Sequence, residues 1–235
     1  DYVLSVEFID TIEGIVVNDV FDRLNRNVKK LERQELRHAK YDGWFITTAE
    51  AETEKEEWEQ LHVVTKARVK RMKDVQFISE LLIVLLNNRI DGFDQDYLDQ
   101  ICAEYDAPQE SKSDFSEEDF STQLEAAKKY LLELEKHNEI ITKFAKGFGN
   151  FFSLWAFVVL NKDRLPESRM VAVKYADFMV KVERLAKEKD PEQFLKEQKD
   201  DYTVAYKFFR NSVQASTDLP QRQARHETLT SVLLS

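Results

Sequence analysis

The chain has few of the residues that punctuate or cross-link a fold: 235 residues include five Gly, four Pro and one Cys. Turns must therefore be scarce, and a single cysteine cannot form an internal disulfide, which fits a reducing cytosol. No signal peptide is visible. The longest nearly unbroken apolar run, residues 151–160, is half of the roughly 20 residues that a membrane span needs. We expect a buried core helix there and a cytoplasmic protein.

What the chain does contain favours helices. Hydrophobic residues make up 43% and charged residues 33%, and Leu, Lys and Glu are abundant. We predict a mainly α protein, a multi-helix bundle with one or two short β-strands at its amino end. Residues 2–9 alternate in the manner of a strand, with a short neighbour at 15–17. A net charge of −10 argues against a general nucleic-acid coat, although it leaves room for a local basic patch.

A long helix is predicted from Ser116, an N-cap candidate, to about residue 146. Apolar residues recur along it with 3-4 spacing, and one polar residue, Asn138, takes an inner position. One interpretation is an amphipathic helix that packs inside a bundle. The other is a homodimer seam in which Asn138 fixes the register. The seam would consist of Leu131, Leu134, Asn138 and Ile141.

The polar, Pro-containing stretch 106–114 is the best internal boundary. With it we divide the chain into three parts. Residues 1–48 would hold a strand and two short helices, 49–106 connecting helices, and 107–235 a carboxyl-terminal helical bundle.

Positive charge concentrates between residues 23 and 40, where seven Lys or Arg face two Glu. One interpretation is a set of solvated helix faces. The other is a surface for the DNA backbone or a nucleotide phosphate, to which the planar guanidinium of arginine is suited. The candidates for a DNA-backbone contact are Arg26, Lys29, Lys30 and Arg33.

Two segments within this basic stretch carry a family resemblance. The first reads Val-Phe-Asp-Arg-Leu-Asn at 20–25, and the second reads Leu-Glu-Arg-Gln-Glu-Leu-Arg-His-Ala at 31–39, followed by Gly43. They resemble the centre of the DUF262 family, bacterial or archaeal phage-defence restriction proteins with a ParB/sulfiredoxin-like domain. The specific match covers about a quarter of the chain. The family's Asp-Gly-Gln-Gln-Arg motif does not occur in these 235 residues.

The resemblance implies that residues 1–48 are a remnant of the ParB/sulfiredoxin-like domain and that the chain is the carboxyl-terminal portion of a larger protein. That protein would bind GTP or ATP with Mg²⁺ through the missing motif and couple its hydrolysis to sensing or cutting DNA. The positions carried over for contact with nucleotide or DNA phosphate are Arg23, Asn25, Gln34 and Arg37. Glu35 is carried over too, with capping of free N–H groups as its equally expected role.

The chain itself shows no catalytic constellation. Its four histidines stand alone, without the spacing of a metal site, and Cys102 falls on an apolar helical stripe as a buried, inert thiol. We expect no catalytic residue, metal or cofactor in this chain, and no turnover by it alone. Its expected partners are the missing amino-terminal domain or a partner chain, DNA, and a second copy. The alternatives are a stand-alone helical interaction protein and a DNA-backbone binder.

Overall fold

The computed structural model describes residues 32–235, apart from the side chains at positions 199 and 200. This part of the chain is 76% helical, with fourteen α-helices and no strand, which confirms the predicted mainly α, multi-helix bundle. The predicted strands at 2–9 and 15–17 lie outside the described residues.

The first four described helices have ten residues or fewer, and the two longest begin at Glu117 and Ser168. In chain order they are α1 (Arg33–Lys40), α2 (Trp44–Thr53), α3 (Glu56–Gln60), α4 (Lys66–Val69), α5 (Lys73–Asn87), α6 (Gln95–Glu104), α7 (Pro108–Ser111), α8 (Glu117–Asn138), α9 (Ile140–Phe144), α10 (Phe148–Leu160), α11 (Ser168–Lys187), α12 (Pro191–Glu197), α13 (Lys199–Val213) and α14 (Leu219–Leu233). A 3₁₀ turn, Lys162–Arg164, joins α10 to α11.

The apolar run predicted to be a core helix is α10, at the centre of the fold. Nine consecutive residues, 151–159, are buried, because helices surround α10 on several sides. It packs against α5, α8 and α14. The Trp155 indole nitrogen also donates a hydrogen bond to the backbone carbonyl of Leu81 in α5, at 2.9 Å. A polar bond within the core therefore sets how α10 lies along α5.

The stretch predicted as a domain boundary does not separate two cores. A single hydrophobic cluster extends from Phe45 to Leu233 and includes residues on both sides of position 106. The stretch also contacts the start of α2 directly. The backbone N–H groups of Trp44 and Phe45 donate to the carbonyls of Asp106 (2.8 Å) and Tyr105 (3.1 Å). Residues 105–106 thus satisfy two of the N–H groups that are free at the start of α2.

The helix predicted from 116 to 146 is two helices. Ser116 caps the first as predicted, its hydroxyl accepting from the Asp119 N–H at 3.1 Å. The helix ends at Asn138, and Glu139 adopts a left-handed conformation, φ 51° and ψ 38°. The Glu135 carboxylate then accepts from the N–H groups of Ile141 and Thr142. A side chain from the last turn of α8 therefore caps α9 and stabilises the break.

Candidate functional site

Part of the predicted phosphate-contact set lies in α1, the first described helix. Arg23, Asn25, Arg26, Lys29 and Lys30 lie outside the described residues. Three predicted contact residues belong to the described part of the chain: Gln34 and Arg37, which are buried, and Arg33, which is exposed. The DNA-backbone candidate Arg33 forms an ion pair with Asp96 in α6 at 2.5 Å, with both side chains largely in solvent.

Arg37 makes the most contacts in this group. Its side chain is only 2% exposed, and four of its five N–H donors are engaged. Nε donates to Asp99 Oδ1 at 2.5 Å, Nη1 to Gln34 Oε1 at 3.1 Å, and Nη2 to both the backbone and side-chain oxygens of Gln95. These partners belong to α6 and to α1 itself. The guanidinium thus fastens α1 to α6 and has little capacity left for a phosphate.

The neighbouring Glu35 fulfils the capping role given as its alternative. Its carboxylate accepts from the Glu32 backbone N–H at 2.6 Å and pairs with Arg71 at 3.0 Å. The side chain of Gln34 accepts from Arg37, while its Nε2 is buried and has no hydrogen-bond partner among residues 32–235. Gln34 and Arg37 are the buried residues of α1. Polar bonds, more than apolar packing, therefore position this helix.

The polar contacts continue from Arg37 into the interior of the bundle. Gln95 Nε2 donates to Gln76 Oε1 in α5 at 3.3 Å, and one turn further along α5 lies Glu80. Glu80 is bound by Arg222 from α14 at 2.5 Å. We call this series, Arg37, Gln95, Gln76, Glu80 and Arg222, the polar seam. It links the first described helix to the last one.

The inner end of the polar seam is tightly enclosed. Arg222 stacks on the Phe152 ring, with 3.8 Å from its guanidinium carbon to the ring centroid, and donates to the Asp91 carbonyl at 3.1 Å. Burial raises the pKa of Glu80, and the Arg222 cation opposes that shift. The adjoining cavity, about 20 Å³, has room for roughly one water molecule. A nucleotide does not fit there.

Other features of the described residues bear on catalysis. Among residues 32–235 no group of His, Cys, Asp and Glu is arranged to hold a metal ion. Cys102 is buried, as predicted, and burial raises the pKa of its thiol to about 12, so the nucleophilic thiolate is scarce at neutral pH. His226 is half-buried, and burial lowers the pKa of its imidazole.

The proposed dimer seam does not lie on the surface. Leu131, Leu134 and Ile141 are 0% exposed within the single chain, where α8 and α9 pack against α11. Asn138 is the last residue of α8, next to the left-handed Glu139. The apolar stripe therefore packs inside the bundle, in agreement with the interpretation of an amphipathic bundle helix. A second chain would have to dock elsewhere.

Sequence reasoning missed Glu80, Arg222 and Arg225. Arg225 is 1% exposed and donates to Ser153 Oγ at 2.9 Å and to the carbonyls of Asn211 and Ser216. A signal was present: Arg222, Arg225, Leu229 and Leu233 follow helical spacing, so both arginines fall on the stripe that faces the core. An arginine in such a stripe is easily overlooked as a core residue, because charged residues are rarely buried.

No protein-family model, curated protein or solved structure matches this chain. In residues 32–235 none of the helices combines the length and the apolar character that a membrane crossing requires.

Proposed function

We propose that this chain is the helical scaffold and assembly part of a DUF262-type antiviral defence protein. The NTP-dependent DNA sensing or cleavage of that protein would be carried out by a ParB/sulfiredoxin-like domain with the Asp-Gly-Gln-Gln-Arg motif, on the same polypeptide or on a partner chain. The observation that carries the scaffold role is the state of Arg37. Four of its N–H donors bind protein oxygens, so it holds helices together where a phosphate contact was expected.

The position of α1 supports a role at the junction with that domain. The helix carries most of the second resemblance segment, 31–39, and packs on α5. Arg37 joins it to α6, and Arg71 joins it to the turn before α5. Contacts on two sides fix its orientation. A domain that docks on residues 1–31 would then be held at a defined angle to the bundle.

In this proposal the chain does not itself bind the nucleotide or its metal ion. GTP or ATP with Mg²⁺ would be bound by the Asp-Gly-Gln-Gln-Arg domain, where the cation would supply charge neutralisation for phosphoryl transfer. The described residues of α1 do not fit a phosphate ligand, because Arg37 is committed and Arg33 is neutralised by Asp96. DNA contact through Arg26, Lys29 and Lys30 remains part of the proposal for the whole assembly.

Two measurements test the proposal. The codons upstream of Asp1 are expected to continue the open reading frame and encode Asp-Gly-Gln-Gln-Arg, or a neighbouring gene is expected to do so. The isolated chain, incubated with GTP or ATP and Mg²⁺, is expected to release no phosphate above the buffer blank. Turnover that disappears on Arg23→Ala would contradict the scaffold role, and a locus without the motif would contradict the parentage.

A stand-alone interaction protein is the second candidate, favoured by one apolar surface. Met170, Val173 and Val180 lie along one face of α11 and are 49%, 47% and 57% exposed. Val204 of α13 is also exposed, at 47%. Sedimentation of the wild type and of a Val173→Glu, Val180→Glu variant tests self-association through this face. A concentration-dependent mass that the double variant abolishes would favour this candidate.

A further inference from the structure

We propose that a pocket between α8 and α10 is a binding site for a small aromatic or short-chain carboxylate. The site is separate from the polar seam and independent of the scaffold role. Its volume is about 150 Å³, and it opens to solvent. The residues that line it are Leu85, Gln123, Ala126, Ala127, Tyr130, Val158, Val159, Lys162 and Leu165.

The interior of the pocket is apolar. Ala127 of α8, Leu85 of α5 and the paired Val158 and Val159 of α10 are all buried and form its floor. An apolar cavity of roughly 150 Å³ is large enough for a single benzene ring. Water in such a space would have few polar partners, so displacing it with an apolar group is favourable. The floor therefore selects for one ring or a short alkyl chain.

The rim adds a positive charge. Lys162 is exposed, and its ammonium donates to the neutral amide oxygen of Gln123 at 2.5 Å across the mouth. Within the described residues its ammonium lies within ion-pair distance of no carboxylate. A ligand carboxylate at the mouth would supply the anionic partner, and the charge-assisted hydrogen bond would be stronger than the one to the amide. This cation is the reason to assign an acid and not a neutral hydrocarbon.

The turn that carries Lys162 is held in place before any ligand arrives. Asn161 Nδ2 caps α10 by donating to the Phe157 carbonyl at 2.8 Å, and Arg164 donates twice to Asn161 Oδ1. On the other side of the pocket, Tyr130 Oη donates to the Pro166 carbonyl at 2.7 Å. Both ends of the turn are thus anchored. A preformed pocket loses little conformational entropy on binding.

The end of α10 determines how the acid would lie. Val158 and Val159 belong to the last turn of that helix, where the carbonyl groups carry partial negative charge. A carboxylate on the floor would face that negative charge with no solvent to screen the repulsion. We therefore place the ring on the floor and the carboxylate beside Lys162 at the mouth.

Methyl NMR of the full chain tests this assignment, with benzoate and toluene as the probes. Both are expected to shift the Leu85, Ala127, Val158 and Val159 methyl signals in a saturable way. Lys162→Gln is expected to weaken benzoate about tenfold, as loss of a charged hydrogen bond predicts, and to leave toluene unchanged. Lys129→Gln, which replaces an exposed lysine on α8 outside the pocket, is the control and should change the affinity of neither probe.

Two filling variants keep the test independent of folding. Ala127→Leu fills the floor from a buried position, and Ala126→Phe fills the pocket from an exposed one that a folded chain tolerates more easily. Both are expected to abolish binding of both probes. The proposal is overturned by an absence of saturable shifts at millimolar probe, by binding that survives Ala126→Phe in the folded protein, or by benzoate affinity indifferent to Lys162→Gln.

Discussion

Lys128 and Glu52, 76 residues apart in the chain, form an ion pair inside the protein: Lys128 Nζ lies 3.0 Å from Glu52 Oε2. Their side chains are 1% and 5% exposed. The same carboxylate oxygen accepts from the Trp58 indole at 2.7 Å, and Lys55 pairs with the other oxygen at 2.7 Å. This arrangement joins α8 to the short helices α2 and α3.

Removing both partners of this pair is expected to cost less than the sum of the two single losses. Lys128→Met should destabilise the protein by about 3 kcal/mol, the lower end for a broken buried pair, because Lys55 still neutralises Glu52 in part. The double variant with Glu52→Gln should lose less stability than the sum of the two single losses, by ~1 kcal/mol or more. Urea denaturation of the four proteins measures this coupling. Strictly additive losses would show that the two side chains do not interact.

Gly43 is expected to be intolerant of any side chain. An added Cβ would lie 2.0 Å from Asp106 Oδ1 and 2.5 Å from the Asp106 Cα atom, so the backbone itself would have to move. We expect Gly43→Ala to cost about 2 kcal/mol. Gly149→Ala is the control, because a Cβ there meets no atom of residues 32–235 within 4 Å and helix propensity favours alanine. Thermal unfolding should give a lower Tm than the wild type for Gly43→Ala but not for Gly149→Ala. Equal Tm values for the two variants would be incompatible with this packing.

Breaking the Glu80–Arg222 pair should make the free energy of unfolding depend on pH. Burial raises the pKa of Glu80 in the folded protein above its unfolded value, so folding favours the protonated acid. That contribution is complete below the unfolded pKa and is lost as pH rises through the folded pKa. Arg222→Met removes the cation that opposes the shift. Its destabilisation, measured with urea, should therefore be larger at pH 8 than at pH 5, and a pH-independent loss would refute this assignment.

Asn138→Leu should leave the oligomeric state unchanged. The apolar neighbours that a coiled-coil seam would need, Leu131, Leu134 and Ile141, are already buried within one chain. A leucine at the end of α8 adds only one apolar side chain next to the break at Glu139. Sedimentation equilibrium of both proteins compares their masses. A higher mass for the variant would indicate that this stripe can form a dimer interface.

The helical character and the central helix could be predicted because they follow from local patterns. The stripe of α11 (Val171, Tyr175, Phe178, Val182, Leu185) and the apolar run of α10 are both buried as periodicity predicts. The break at Glu139 could not be predicted. It depends on the Glu135 carboxylate binding N–H groups six and seven residues ahead, a capping pattern with no periodic signature.

The candidate site was predicted only in part, for a different reason. Sequence placed Gln34 and Arg37 together, but their partners come from α6, about 60 residues away. A guanidinium that binds phosphate and one that binds protein carbonyls have the same local sequence. Only the fold distinguishes them, because it brings Asp99 and Gln95 against α1.

The role of Arg37 is the central claim, and one measurement tests it most directly. Arg37→Met and the exposed Arg33→Met, four residues earlier in the same helix, are compared by urea denaturation and by ATP and GTP titration with Mg²⁺. Arg37→Met should cost about 3 kcal/mol and Arg33→Met under ~0.5 kcal/mol, while neither nucleotide binds the wild type. Saturable nucleotide binding that Arg37→Met abolishes without loss of stability would contradict this account.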